Sequence, residues 1–224
     1  GFVMSLWHSY EIHGEPLPRH ALADALSGNL CRCTGYRPIL DAGEQMYRAP
    51  RVTMDMAPLR TLLEELQRTE AASLTYEGPN AAHRGAVQRF HAPRTLTELA
   101  ALRAALPDAR LLAGCTDVGL WVTKQFRDLG EVIYLGRVSE LQQITQSTSP
   151  GGVPSLEIGA GATLEDAWRT LSDAVPALRE VWLRFASPPV RHAGTLGGNV
   201  ANGSPIGDSS PILMALDASV VLRQ

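Results

Sequence analysis

Phe2, Val3, Leu6, Trp7 and Tyr10 recur at the i, i+3, i+4 spacing of one helix face, which predicts a helix over residues 2–13. Gly14, Pro16 and Pro18 end it. A second short helix follows, with Pro18 near its first turn, Leu22, Ala25 and Leu26 on one face, and Gly28-Asn29 as a stop. After a loop over 30–36, Pro38 opens a third helix with buried positions expected at Ile39, Leu40, Gly43, Met46 and Tyr47. These segments predict a compact helical domain over residues 1–48. Leu59, Leu62, Leu63 and Leu66 then mark one amphipathic helix within a connector over 49–87, which also holds the turn residues Glu77-Gly78-Pro79-Asn80. From residue 88 the pattern alternates. Thr95-x-x-Glu98 is a capping box for a helix that turns Leu99, Leu102 and Leu106 inward, and Thr163-x-x-Asp166 caps another. Arg110–Ala113, Val132–Leu135, Leu156–Ala160 and Ala218–Leu222 read as strands. Strands alternating with helices place residues 88–224 in an α/β or α+β class. Gly1 starts within an amphipathic pattern without an initiator Met, and the last strand has no element to close it. The expectation is a piece of a longer polypeptide, truncated at both ends.

Composition narrows the function classes. The 45% hydrophobic and 19% charged fractions of the 224 residues suit packed cores rather than disorder. A net charge of -3 supplies no electrostatic footprint for a nucleic acid partner. No apolar run approaches the roughly 20 residues of a membrane span, so no membrane partner is expected. The three cysteines, Cys31, Cys33 and Cys115, are an odd set whose close pair does not suit a loop-closing disulfide. That points to a reducing compartment, with cytoplasmic localisation as the expectation.

Cys31-Arg32-Cys33 on a tight loop puts two thiolates within reach of one metal centre. By itself the pair is equally open to a cluster, a structural zinc half-site, a redox pair or coincidence. Arg110-Leu111-Leu112-Ala113-Gly114-Cys115-Thr116-Asp117 runs from a strand through a glycine turn toward a helix, where backbone N–H groups can cradle a pyrophosphate. It is not a P-loop, because no Lys-Ser/Thr follows. Gly159 and Gly161 read as turn glycines. Thr195-Leu196-Gly197-Gly198-Asn199, with Asn202 to Asp208 after it, reads either as a polar ligand site or as a pair of tight turns.

The wording of these motifs carries a resemblance. Ser27-Gly28-Asn29-Leu30-Cys31-Arg32-Cys33-Thr34-Gly35-Tyr36-Arg37-Pro38-Ile39 closely resembles the second [2Fe–2S] motif of the molybdenum hydroxylases. In that family a Cys-x-x-Cys just ahead of the first helix supplies the other two ligands. Phe90-His91-Ala92-Pro93, the Ala113–Asp117 loop, Gly159–Thr163, Phe185-Ala186-Ser187, Gly197-Gly198-Asn199 and Ser204-Pro205 resemble the FAD-binding domain of xanthine dehydrogenases, aldehyde oxidases and carbon monoxide dehydrogenase flavoproteins. The resemblance implies an all-α helical [2Fe-2S] domain, then an α+β FAD-binding domain of the vanillyl-alcohol oxidase/para-cresol methylhydroxylase type over 88–224. It implies Cys31 and Cys33 as cluster ligands. It assigns Arg110, Leu111, Leu112, Ala113, Gly114, Cys115, Thr116 and Asp117 to the FAD pyrophosphate, and Phe185 to the flavin. Thr195, Leu196, Gly197, Gly198 and Asn199 fall to the dinucleotide, and Asp208 to a ribose or ribityl hydroxyl. Cys115 departs from the family, which carries Gly or Asn there, and is expected to be a small buried filler.

By the same resemblance the chain is an electron-transfer subunit of xanthine dehydrogenase type, acting in purine oxidation, with no catalytic residues of its own. Molybdopterin lies on a large partner subunit, NAD+ is the final acceptor, and a heterotetramer is the expected assembly. An aldehyde dehydrogenase or oxidase of the same family is the alternative within the class. A non-enzymatic zinc and nucleotide binding module is the alternative outside it.

Overall fold

The structure, a computed structural model, describes residues 1–223 except 70–71, 81–82, 84, 149–151, 153 and 206, and the side chain of Thr69. The chain divides into two units, Gly1–Ala71 with Ala186–Val190, and Ala72–Phe185 with Arg191–Gln224.

The first unit is helical. Helices α1 (Phe2–His13), α2 (Arg19–Leu26), α3 (Arg37–Gln45) and α4 (Ala57–Thr69) follow in order, with a short 3-10 turn at Met46–Arg48. Gly14 ends α1 in the left-handed region at φ 69° and returns its N–H to the Tyr10 carbonyl at 3.3 Å. Leu22 and Leu26 of α2 are buried, as is Gly43 of α3. A side chain at Gly43 would meet Leu6 and Leu22, each 2.8 Å from a Cβ there, so glycine is what lets α3 close on α1 and α2. Ile39, Leu40, Met46 and Tyr47 are half-buried, shallower than their pattern suggests. The residues after α3 are tied back to α1 by Val52 N–H on the Tyr10 hydroxyl (3.1 Å) and Met54 N–H on Glu11 (3.3 Å). Helix α4 forms where the leucine stripe predicts it, with Leu59, Leu62, Leu63 and Leu66 exposed.

The second unit is mixed. Strand β1 (Leu74–Pro79) pairs antiparallel with β2 (Val87–Ala92). After α5 (Leu96–Ala105), strand β3 (Arg110–Leu112) leads through α6 (Val118–Thr123) to β4 (Val132–Tyr134). The sheet order is β1-β2-β4-β3, with β4 parallel to both β2 and β3. A separate antiparallel pair joins β5 (Ile144–Thr148) to β6 (Pro154–Ile158). Helices α7 (Leu164–Ala174), α8 (Arg179–Arg184), α10 (Leu196–Asn202) and α11 (Ser209–Ala215) complete it, and α9 (Pro188–Ala193) is divided between the two units after Val190. Leu164, Ala167, Trp168 and Leu171 of α7 form the core with Leu196, and Ile158, Val181, Trp182, Phe185 and Ile212 pack around them.

Both expected caps form. Thr95 accepts the Glu98 N–H at 3.1 Å while Glu98 accepts the Thr95 N–H at 3.2 Å. The Ser73 hydroxyl, then the Arg94 amide, hold the Glu98 carboxyl below its ordinary pKa. Thr163 accepts the Asp166 N–H at 3.0 Å. His91 is buried with both ring nitrogens engaged, Nε2 with Glu131 at 2.9 Å and Nδ1 with Thr75 at 3.1 Å, so it serves the sheet.

Two local readings are corrected. The segment around Glu77-Gly78-Pro79, read as connector, is the edge strand β1, because every residue from Leu74 to Pro79 finds a partner between Val87 and Ala92. Ala218–Leu222, read as a strand, is not one. Its residues are exposed and pair with no strand among the described residues, and β propensity alone does not make a strand.

Candidate functional site

The helical unit presents Cys31 and Cys33 on the loop between α2 and α3, both as free thiols. The loop is shaped from inside. Asn29, just ahead of it, donates to Ser5 Oγ at 2.8 Å and to the Leu26 carbonyl at 3.2 Å, and Gly1 lies against its side chain. The Cys33 N–H points at Cys31 Sγ at 3.3 Å, and Thr34 Oγ1 sits 3.6 Å from the same sulfur. The Thr34 hydroxyl first, then the Cys33 and Thr34 amides, draw the Cys31 thiol from 9.0 down to about 7. Donors aimed at a sulfur favour its thiolate, the form that binds metal. Among the described residues no cluster of three or more His, Cys, Asp or Glu assembles around a metal position, so the loop offers two thiolates of the four that a cluster takes. That donor set fits half of a [2Fe–2S] site.

Tyr36 is a residue that sequence reasoning passed over. Its hydroxyl accepts the Cys31 N–H at 2.9 Å, its ring meets Phe2 edge-on at 6.2 Å, and its own φ is 68°. A left-handed tyrosine after a left-handed Gly35 is strained, and it is pinned from both ends. No pattern in the sequence flags a backbone angle.

In the mixed unit, Arg110, Leu111 and Leu112 lie in β3, and Ala113, Gly114, Cys115, Thr116 and Asp117 form the loop into α6. This is the strand–turn–helix order the motif predicts. Thr195 caps α10, accepting the Gly198 N–H at 3.1 Å, so Leu196, Gly197, Gly198 and Asn199 form a helical first turn rather than two tight turns. The cap and the bond from Asn199 N–H to the Thr195 carbonyl (2.9 Å) outweigh the poor helix propensity of two glycines.

The structure brings three of the glycine segments together. A Cβ on Gly114 would lie 1.9 Å from the Ala193 carbonyl oxygen and 2.7 Å from Gly194 Cα. One on Gly197 would lie 2.6 Å from the Ala160 oxygen, to which Gly197 N–H donates at 2.9 Å. Leu164 N–H donates to the Gly194 carbonyl and Leu196 N–H to that of Ala162, making a short antiparallel bridge at Thr163 and Thr195. The glycines are therefore required by chain-on-chain contact as well as by any ligand. Gly207 lies near Asn199, whose Oδ1 is buried and has no hydrogen-bond partner among the described residues. Phe185 and Asp208 line one hollow of about 310 Å3 with Val181, Arg184, Pro211 and Ile212. The orphaned Asn199 oxygen, and separately a hollow lined by an aromatic ring and a carboxylate, are groups that a dinucleotide with a flat aromatic head can use. Ile206, within the same motif, lies outside the described residues.

Cys115 corrects the sequence reading. It is exposed rather than a buried filler, and it adopts φ 60°. A left-handed L-residue costs about 1–2 kcal/mol, which glycine avoids and asparagine reduces. Gly or Asn, which the resemblance leads one to expect at this position, would take that angle at lower cost. Cys115→Gly is expected to stabilise the protein by about 0.5–1 kcal/mol, part of the relief being offset by the greater unfolded-state freedom of glycine. A thermal midpoint that falls, measured by calorimetry, would show that the thiol contributes more than the angle costs.

Comparison with known proteins finds a family match over each of two stretches of the chain. Residues 85–224 match the family described as FAD binding domain in molybdopterin dehydrogenase, and residues 1–44 match the [2Fe-2S] binding domain. Xanthine dehydrogenase of Drosophila subobscura is 30% identical over 260 residues, covering 97% of this chain and 19% of that protein. Aldehyde oxidase 4 of Cavia porcellus is 29% identical over 262 residues, covering 96% of this chain and 19% of that protein. This chain thus spans about a fifth of the length of the curated relatives it matches. A solved carbon monoxide dehydrogenase from Hydrogenophaga pseudoflava, lacking the Mo-pyranopterin moiety of its cofactor, is 32% identical over 54% of this chain and 41% of that one, with a TM-score of 0.47.

Proposed function

The chain belongs to the molybdopterin dehydrogenase family, the molybdenum hydroxylases, and from that premise we propose that it is the electron-transfer segment of such an enzyme. Its architecture is a helical [2Fe–2S]-binding region followed by an α+β FAD-binding domain of the vanillyl-alcohol oxidase/para-cresol methylhydroxylase type. The observation that carries the functional reading is the presence on one chain of the Cys31/Cys33 loop and of the packed glycine loops at Gly114, Gly161 and Gly197.

In this reading residues 1–48 are the cluster module and 88–224 the flavin module. The connector 49–87 lends Leu74–Pro79 to the flavin module's sheet. Cys31 and Cys33 hold one side of a [2Fe–2S] cluster, and the Cys33 amide stabilises negative charge on sulfur. A [2Fe–2S] cluster takes two further ligands besides these. Residues Arg110 to Asp117 and Thr195 to Asn199 seat FAD, Phe185 faces the flavin and Asp208 takes a hydroxyl of its sugar chain. When bound, FAD supplies the step between one-electron carriers and a two-electron hydride acceptor. The residues here bind and orient it, and none is placed as a catalytic acid or base.

Substrate oxidation is assigned to a molybdopterin-bearing large subunit or segment, with NAD+ as acceptor and a heterotetramer as the assembly. Fusion of cluster and flavin modules in one chain favours the xanthine dehydrogenase type. A second reading, an aldehyde oxidase or dehydrogenase, is favoured by the nearly equal identity to aldehyde oxidase 4. No helix among the described residues is long and apolar enough to cross a membrane.

The intact parent of this chain, expressed without its partner, is expected to reduce dyes with NADH while remaining inert toward xanthine, other purines and aldehydes. Asp208→Ala is expected to weaken that diaphorase activity through loss of flavin, with partial recovery on adding FAD. Purine or aldehyde turnover by the partner-free protein would overturn the division of roles. A fully flavin-loaded protein without diaphorase activity would rule out NAD+ as the acceptor.

A further inference from the structure

Arg191 carries a buried charge that none of the motifs accounts for. The residue is 7% exposed. Its Nε lies 2.5 Å from Glu165 Oε2, and one terminal nitrogen donates to the Phe185 carbonyl at 2.8 Å. A buried guanidinium is costly unless its donors are met, and these partners come from different elements. Glu165 stands in the first turn of α7, where a carboxylate is favoured, and Phe185 is the residue at which α8 ends.

The carbonyl that Arg191 holds is that of the residue ending α8. Ala186 follows at φ 50°, a left-handed angle that a non-glycine residue keeps only where its surroundings impose it. The Phe185 ring lies 5.8 Å from Trp168 on one side and lines the 310 Å3 hollow shared with Asp208 on the other. Its orientation is therefore set by the core through Trp168 and by the main chain through Arg191.

We propose that Arg191, braced by Glu165, is the positioning residue for Phe185, fixing the face that this ring presents to the isoalloxazine of a bound flavin. The inference rests on the reading of Phe185 as a flavin-packing residue and adds how that ring is held. Arg191 touches no ligand in this account and acts through a backbone carbonyl.

The test uses the intact parent holoprotein, with FAD as the probe. R191K keeps a positive charge for Glu165 and loses the arm that reaches Phe185. E165D keeps the ion pair and shortens the brace, and it carries the same test should R191K not fold. Each is expected to raise the FAD dissociation constant about tenfold and to shift the visible flavin band, a loss of affinity larger than the accompanying fall in the apoprotein's thermal midpoint accounts for. F185L should weaken FAD to a similar extent, and R191K/F185L should be no worse than F185L, since residues acting through one another are not additive. Additive losses in the double variant would overturn the proposal, as would FAD loss matched by a fallen apoprotein midpoint. Unchanged FAD affinity in R191K and E165D beside a weakened F185L would sink the positioning role alone. Unchanged affinity in F185L would remove Phe185 from the flavin site and this inference with it.

Discussion

Gly114→Val in the intact parent protein is expected to abolish retention of FAD through purification while leaving the iron content unchanged. The reason lies in the chain itself. A Cβ at this position would sit 1.9 Å from the Ala193 carbonyl oxygen and 2.6 Å from its carbon, inside any tolerable contact, and both atoms are backbone. The loop after β3 and the segment leading into α10 would have to separate. Overpacking of this kind costs about 1–3 kcal/mol, which corresponds to roughly one to two orders of magnitude in affinity when a ligand depends on the contact. Gly114→Ala separates two causes. If glycine were needed only to let a phosphate approach, a methyl group would be partly tolerated. If it is needed for the contact with Ala193, alanine should lose most of the flavin as well. Flavin-to-protein absorbance and iron analysis on the same samples decide the matter, and full flavin occupancy in Gly114→Val would remove this loop from the site.

Cys31→Ser is expected to remove one of two [2Fe–2S] signals from the electron paramagnetic resonance spectrum of the reduced parent protein, with flavin still bound. The alkoxide of serine is far less available than a thiolate at neutral pH, and here the thiolate is specifically favoured. The Thr34 hydroxyl and the amides of Cys33 and Thr34 bring the Cys31 thiol down to about 7. Serine would keep small donors around it and lose the soft ligand. Cys33→Ser should remove the same signal, because each thiolate is one of the four that a cluster takes. Two unaltered signals in either variant would refute the assignment of this loop. Loss of flavin together with the signal would mean that the substitution unfolds more than its own loop.

The parts of the fold that could be read in advance are those written in neighbouring residues. The capping box at Thr95 and the N-cap at Thr163 are bonds between positions three apart, so their sequence spacing already states their geometry. The extent of α1, the stop at Gly14 and the cysteine loop are equally local, and the last is worded distinctively enough to name its family, although Val3 and Trp7 of the expected α1 face are exposed. Residues whose meaning depends on distant partners were not readable. Leu74–Pro79 carries turn residues yet is a strand, because Val87–Ala92 supplies the other half of its hydrogen bonds. Ala218–Leu222 carries strand residues and finds no such partner among the described ones. The glycines at 114 and 197 look like ligand cradles in sequence. The tertiary structure shows that Ala193 and Ala160, far along the chain, also require them. The left-handed angles of Tyr36 and Cys115, and the reach of Arg191 to both Glu165 and Phe185, are likewise set by packing. Spacing along a chain encodes interactions within a turn or two of helix. Which segments meet across the core depends on contacts made between distant parts of the chain, and only the folded backbone shows those.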